Sequence, residues 1–118
     1  MSRLYLVISS ISLTVLIVLL SCNKFNPHNL IGTYVFNQPN DRDTLIVSAN
    51  HNYIHTAYRN NKKIINTGKW KFNGVEISFH NFTFFNGGNG IWMSRVIQDG
   101  DYIKLNYSDE EVFYFKLP

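Results

Sequence analysis

The chain begins with a long apolar segment and continues as short segments in which apolar and polar residues alternate. Leu4 to Leu20 carries no charged residue, and the polar stretch that starts at Asn23 ends this segment. Beyond the polar stretch, side chains alternate with a period of two residues, as in a β-strand with one buried face. The pattern predicts an all-β domain over residues 30–118, preceded by an N-terminal hydrophobic signal helix over residues 1–21.

Alternation is clearest in two segments near the middle of the chain. In "IINTGKWKF", the apolar Trp70 alternates with Lys69 and Lys71. In "VEISFH", Val75 and Phe79 fall on the side predicted to face the core, opposite charged and polar residues. Counting every such segment gives eight strand candidates, at residues 30–37, 43–48, 53–59, 64–72, 75–80, 91–98, 102–107 and 112–117.

The residues between the strand candidates are typical of tight turns. Asn73-Gly74 and Asp99-Gly100 are two-residue hairpin signals, because glycine adopts a positive φ without steric cost. Connections this short make neighbouring strands antiparallel. We therefore expect an antiparallel meander of about eight strands, rolled into a small barrel or a curled sheet that hides its edges.

Composition excludes several classes of protein. Hydrophobic residues make up 45% of the chain, which is enough for a packed core. The net charge is +3, but the eleven Lys and Arg residues are scattered, so we expect no nucleic-acid partner. With a single cysteine, neither an internal disulfide nor a cysteine-based zinc site is possible.

The only cysteine, Cys22, follows directly after the apolar segment. One arginine near the start, the apolar run and small residues at its end are the layout of a secretory signal peptide. The residues "LLSC" (19–22) resemble the lipobox of bacterial lipoproteins. This resemblance implies cleavage between Ser21 and Cys22, diacylglycerol on the Cys22 sulfur, and an acyl chain such as palmitate on the new amino terminus. A lipid of this kind would be the only prosthetic group and would anchor the chain to a membrane.

Two other interpretations of this segment remain open. The apolar run could stay as an uncleaved membrane helix, although it has the minimum length for a span. It could also be an ordinary signal peptide that is followed by cysteine by chance. On the lipoprotein interpretation, residues 22–29 form the lipidated tether. Asn23 stands where an Asp would signal inner-membrane retention, so the resemblance favours the outer membrane of the bacterial envelope.

The mature part resembles small lipocalin-like bacterial lipoproteins. The resemblance rests on the order of strands and turns, on "TGKW" (67–70), and on Gly32-Thr33-Tyr34, which is similar to the Gly-x-Trp that opens lipocalin barrels. It implies a lipocalin-like barrel that binds a small apolar ligand. Strands as short as these make a small barrel, whose interior we expect to be filled by side chains.

The segment "FHNFTFFNGGNGIW" (79–92) is the most unusual part of the predicted domain. It is rich in aromatic residues and ends in a glycine-rich link. One interpretation is an aromatic lip that contacts an apolar ligand or a protein partner. The other is that the rings plug one end of the barrel or extend the fifth strand. The possible contact residues are Phe82, Phe84, Phe85 and Trp92.

Other candidate chemistry is weak. His51 and His55 are four residues apart, a spacing that aligns ligands on a helix but not on a strand. We therefore expect turn and surface histidines and no metal site. "NGGNG" (86–90) lacks the Lys-Ser/Thr of a phosphate-binding loop. The acids at Glu76, Asp99, Asp101, Asp109, Glu110 and Glu111 lie at predicted strand or turn positions, and none is near a convincing nucleophile or histidine in sequence. We therefore expect no catalytic residues, although an enzyme site could still assemble in the fold.

These patterns support two hypotheses for function. The first is a non-catalytic, membrane-anchored envelope lipoprotein that binds a small apolar ligand or an envelope protein. The second is an immunity or inhibitor lipoprotein that blocks a toxin or an envelope enzyme.

Overall fold

The computed structural model describes residues 25–39, 41–109 and 111–118, and it is an eight-stranded antiparallel barrel. Signal segment 1–21, Ser21 and Cys22 lie outside the described residues. The eight strands that close the barrel and the residues of its hydrophobic core all lie within residues 25–118, so the barrel is built from this part of the chain. The elements are η1 Pro27–Leu30 (a 3₁₀-helix), β1 Gly32–Phe36, β2 Thr44–Val47, β3 Asn52–Arg59, β4 Lys62–Phe72, β5 Glu76–Thr83, β6 Asn89–Asp99, β7 Tyr102–Asp109 and β8 Val112–Lys116.

Each strand pairs with its neighbours in sequence, and the last strand pairs with the first. Tyr34 of β1 lies opposite Lys116 of β8, and this pairing closes the barrel. Closure satisfies the backbone groups that an open sheet would expose at its edges. The predicted all-β meander of eight strands is therefore confirmed, in the closed form, and it agrees with a small lipocalin-like barrel.

Alternating side chains fill the barrel interior. In β2, Leu45 and Val47 are buried while Ile46 between them is exposed, as the period-two pattern requires. A short eight-stranded barrel has an interior that side chains fill. Aromatic rings make up much of this core. The buried aromatic residues are Tyr34, Phe36, Tyr53, Trp70, Phe79, Phe82, Trp92 and Tyr114.

The residues before β1 pack against one end of the barrel. Asn26 caps η1 by accepting a hydrogen bond from the His28 N–H, and Leu30 is fully buried. The Tyr34 hydroxyl donates to the Leu30 carbonyl at 2.7 Å. The Phe25 ring lies edge-on to Phe72, with ring centres 5.6 Å apart. Of the segment predicted as a tether, Phe25 thus packs against the barrel core, whereas residues 26–29 are exposed.

The strand directions give the barrel two distinct ends. We call the end at which the chain enters the base; it holds η1 and the β2–β3, β4–β5 and β6–β7 turns. We call the other end the mouth; it holds the β1–β2, β3–β4, β5–β6 and β7–β8 connections. The aromatic segment between β5 and β6 therefore lies at the mouth, opposite the chain entry.

A bulge in β5 changes which side chains face inward. Phe79 lies opposite Trp92, but Phe82 lies opposite Gly90, so β5 has one extra residue between these pairs. Asn81 takes up the extra residue with a φ of 65°. As a result Phe82 is buried, whereas strict alternation from Phe79 would turn it outward.

The prediction that Val75 faces the core is wrong. β5 begins one residue later, at Glu76, and Val75 lies in the β4–β5 turn with 52% of its surface exposed. Asn73 shapes this turn, because its side-chain oxygen accepts hydrogen bonds from the backbone N–H groups of Val75 and Glu76.

Candidate functional site

A buried ion pair lies at the mouth of the barrel. Asp43, just before β2, and Arg59, the last residue of β3, form two parallel hydrogen bonds of 3.0 Å each, Nη1 to Oδ1 and Nη2 to Oδ2. The Asp43 side chain is fully buried and the Arg59 side chain is 19% exposed. A forked guanidinium matches a carboxylate in this geometry, which makes the pair both strong and directional.

His55 and Tyr114 complete the polar cluster from inside the barrel. The His55 Nε2 atom and the Tyr114 hydroxyl each lie 3.4 Å from Asp43 Oδ2, and both residues are fully buried. Burial alone would raise the pKa of Asp43, but hydrogen bonds from His55 and Arg59 outweigh it and hold that pKa below its usual value. Burial, and then the charge of Asp43, raise the pKa of Tyr114. At neutral pH the cluster thus combines a carboxylate, a guanidinium and a neutral phenol.

The backbone places these four residues together. The Asp43 carbonyl accepts a hydrogen bond from the Phe36 N–H, which fixes the start of β2 beside the end of β1. His55 faces inward on β3, directly opposite Leu45. Arg59 immediately precedes the β3–β4 turn, and Tyr114 faces inward from β8.

Phe85 covers this cluster. The Arg59 guanidinium carbon lies 4.1 Å from the centre of the Phe85 ring, in cation–π geometry. The same ring packs on Phe36 at 4.9 Å and meets Tyr107 edge-on at 4.8 Å. The Phe85 backbone N–H also donates to the Tyr107 hydroxyl, at 3.2 Å. One half-buried ring therefore joins the ion pair to the aromatic wall of the mouth.

Two clefts flank the Phe85 ring, and Phe85 lines both. One has a volume of about 220 Å³ and lies on the side of Phe36 and Tyr107. The other, of about 370 Å³, lies on the side of Arg59 and Phe84. The remaining lining residues are Gln38, Asp41, Ser108 and Val112 in the first cleft, and Asn60, Ile64, Thr83, Asn86 and Gly87 in the second.

A third groove lies on the outside of the barrel near the base. Its volume is about 560 Å³, and polar residues of β3 and β4, among them Asn52, Thr67 and Lys69, line it together with Ile54. This groove lies on the outer surface of the sheet, away from the aromatic segment at the mouth.

The four aromatic residues singled out from the sequence fall into two groups. Phe82 and Trp92 are buried in the core, so they have almost no surface for a partner. Phe84 and Phe85 are half-buried at the mouth, and Phe84 packs edge-on against Phe82 at 5.6 Å. The contact residues available at the surface are therefore Phe84 and Phe85.

The prediction that the histidines lie in turns and at the surface is wrong for His55. Its ring is fully buried and stacks on Phe82 at 4.4 Å. His51 does lie in the β2–β3 turn, where it stacks on Trp70 at 4.6 Å. A polar side chain on the apolar face of β3 is the one sequence signal for the cluster, since a buried histidine needs a polar partner.

Sequence reasoning missed Asp43, Arg59 and Tyr114 as a group. They lie 16 or more residues apart, and only barrel closure brings Tyr114 of β8 next to Asp43 and Arg59. Three buried nitrogen atoms here have no hydrogen-bond partner: Arg59 Nε, His55 Nδ1 and Trp92 Nε1. Of their residues, only Arg59 lines one of the two mouth clefts described above.

Within the described part of the chain, no three His, Cys, Asp or Glu side chains come together as a set of metal ligands. The same residues include no helix that is long and apolar enough to cross a membrane. No protein-family model, no curated protein and no solved structure matches this chain.

Proposed function

We propose that this protein is a lipid-anchored lipoprotein of the bacterial envelope, in the outer membrane, and that its barrel is a non-catalytic binding module. Residues 1–21 would be removed and Cys22 lipidated, as the lipobox-like "LLSC" implies. The binding site would be the mouth of the barrel around Phe85. Its ligand would be a small apolar molecule or an apolar side chain of an envelope protein.

The observation that carries the proposal is the pair of clefts on either side of the Phe85 ring. They lie at the end of the barrel opposite the chain entry. Phe36, Phe85 and Tyr107 give the first cleft an aromatic lining, and Phe84 and Phe85 line the second together with the Arg59 guanidinium and several polar residues. Volumes of about 220 and 370 Å³ are at or below the low end of the range for drug-sized ligands, about 300–1,000 Å³. The ligand is therefore a compact apolar or aromatic group.

The interior does not serve as the ligand site in this proposal, because aromatic side chains fill it. Catalysis is not proposed either. Asp43, His55 and Tyr114 are fully buried beneath the mouth, and their side chains hydrogen-bond to one another, to Arg59 and to the Tyr58 backbone N–H. We interpret the cluster as the support that holds Arg59 in place beneath Phe85.

Metabolic labelling with a fatty acid tests the anchor. The wild-type chain is expected to incorporate the label and to fractionate with membranes, whereas Cys22→Ala is expected to lose the label. Equal labelling of both chains, or a purified native protein that still begins at Met1, would refute the anchor.

Thermal-shift screening against lipids and hydrophobic metabolites tests the ligand, because a molecule that binds only the folded state raises Tm. A true mouth ligand must lose its effect in Phe85→Ala and keep it in Tyr102→Ala, which removes an exposed ring at the base. A protein partner captured from envelope extracts is tested with the same two variants. It should bind Tyr102→Ala and fail to bind Phe85→Ala. Failure to find any ligand or partner sensitive to Phe85→Ala would contradict the proposed site.

A further inference from the structure

One side of the barrel exterior is built almost entirely of uncharged, β-branched residues. Because residues opposite each other on paired strands share a face, the register defines two outward-facing rows across β1 to β4. We call these two rows the β-branched face. The first row is Thr33, Ile46, Ile54 and Thr67, and the second is Val35, Thr44, Thr56 and Ile65.

Isoleucine side chains at the centre of this face are open to solvent. Ile46 and Ile54 lie directly opposite each other and are 40% and 41% exposed, and Ile65 in the second row is 61% exposed. Leu117, another exposed apolar residue, continues the first row, because its N–H donates to the Thr33 carbonyl at 2.8 Å. Contiguous exposed apolar surface of this kind usually marks a contact.

The charged side chains on this face are all basic. Strands β8, β1, β2, β3 and β4 contain no Asp or Glu. Lys63, Lys69 and Lys71 of β4 alternate with the inward-facing residues of that strand, so they share the outward side with Ile65 and Thr67. Acidic residues next to these strands include Asp41, Asp43 and Glu111 at the mouth, with Asp43 buried against Arg59, and Glu76 at the start of β5.

We infer that the β-branched face lies on the surface of an anionic phospholipid bilayer. Apolar side chains flanked by lysine on one strand are suited to the boundary between headgroups and acyl chains, where the lysines meet lipid phosphates. A second copy of this face has no acidic side chain on its strands to pair with these lysines, whereas an anionic lipid surface supplies the complementary charge.

The position of the chain entry agrees with this orientation. The Lys116 ammonium group donates to the Asn29 carbonyl at 2.7 Å, so the edge of the face adjoins the segment that leads to the N-terminus. Only Asn23 and Lys24 separate Cys22 from Phe25, a span of at most about 11 Å. A bilayer that held Cys22 would thus be within reach of the face. The inference does not require lipidation, since the barrel surface itself makes the contact.

Vesicle sedimentation of the unlipidated chain from Asn23 tests the inference without the anchor. We expect binding to phosphatidylglycerol-containing vesicles, weaker binding to pure phosphatidylcholine, and loss of binding at high salt. The triple variant Ile46→Thr, Ile54→Thr, Ile65→Thr keeps the β-branched shape and is expected to weaken binding at least about tenfold. Each of Lys69→Gln and Lys71→Gln is expected to weaken it about fivefold.

Ile91→Thr is the matched control, because Ile91 is 57% exposed on β6, away from these strands. It is expected to bind like the wild-type chain, and circular dichroism confirms that every variant is folded. No binding to anionic vesicles, equal binding to neutral ones, or equal binding by the triple variant would overturn the inference. A concentration-dependent dimer that the triple variant abolishes, without vesicle binding, would instead assign the face to a second copy. Fatty-acid labelling of Cys22 is independent of all these results.

Discussion

The guanidinium of Arg59 lies 4.1 Å from the centre of the Phe85 ring, and its other contacts are two hydrogen bonds to the buried Asp43 and one to the Tyr58 carbonyl. Arg59 is thus held from below by a carboxylate and covered from above by a ring. This arrangement fixes the ring that separates the two mouth clefts.

The contact between Arg59 and Phe85 can be measured with a double-mutant cycle. We expect Arg59→Lys and Phe85→Leu each to lower the free energy of unfolding, and their coupling energy to be about 0.5–2 kcal/mol, as for a partly desolvated cation–π pair. Urea unfolding followed by tryptophan fluorescence gives all four values. Strictly additive effects would show that the ring and the guanidinium do not stabilise each other.

Removal of the Asp43 charge is expected to lower the free energy of unfolding far more than removal of a neighbouring charge. Asp43→Asn leaves the Arg59 guanidinium largely buried without a counter-ion, which we expect to lower the free energy of unfolding by about 3 kcal/mol. Asp41→Asn, in the same connection, is the control and should change it by less than about 0.5 kcal/mol. Equal effects of the two substitutions would mean that the ion pair contributes no more than a surface charge.

The depressed pKa of Asp43 predicts how stability depends on acid. The unfolded chain takes up a proton at the ordinary aspartate pKa, while the folded chain resists it, so ionised Asp43 favours the folded state above that pH. This part of the stability is lost as the pH falls through the folded pKa. Urea midpoints of the wild-type chain should therefore fall more steeply below about pH 4 than those of Asp43→Asn. Parallel curves would contradict the assignment.

The raised pKa of Tyr53 predicts that the protein loses stability at alkaline pH. Burial raises the pKa of Tyr53 to about 12, and its hydroxyl donates to the His80 carbonyl at 2.6 Å. The unfolded chain ionises first, so stability is complete below the ordinary tyrosine pKa of about 10 and falls as the pH rises towards 12. Tyr53→Phe should lose less stability over this range than the wild-type chain, although Tyr34 and Tyr114 are also buried. Tyr102→Phe, at an exposed position, should behave like the wild-type chain.

Much of the fold follows from local pattern. Leu45 and Val47 face inward and Ile46 outward as alternation predicts, and the short polar connections between strands leave only antiparallel neighbours. The prediction of inward and outward faces failed where the alternation of side chains along a strand is interrupted. The extra residue at Asn81 shifts the register of β5 and turns Phe82 inward, and an Asn at this position does not distinguish a bulge from a turn or an outward-facing residue.

The candidate site was harder to predict from the sequence than the fold was. Phe84 and Phe85 stand out in the sequence as an aromatic pair before a glycine-rich link, but nothing nearby indicates that Arg59 lies beneath Phe85. The contact between Arg59 and Phe85 depends on the curvature of the sheet, which brings the end of β3 to the β5–β6 connection. His55 was predicted to lie at the surface for the same reason, since its partner Asp43 lies in a different part of the chain, just before β2.

The amino-acid sequence by itself determined the all-β class, the number of strands and most of their inward faces, because these depend on the side-chain period and on the residues of the turns. Only the tertiary structure decided that β1 meets β8, that Asp43, His55, Arg59 and Tyr114 share one buried cluster, and that Phe85 covers it. Strand pairing from β1 to β8 brings these residues together. Contacts between distant residues are set by closure of the sheet, a global property that no local pattern records.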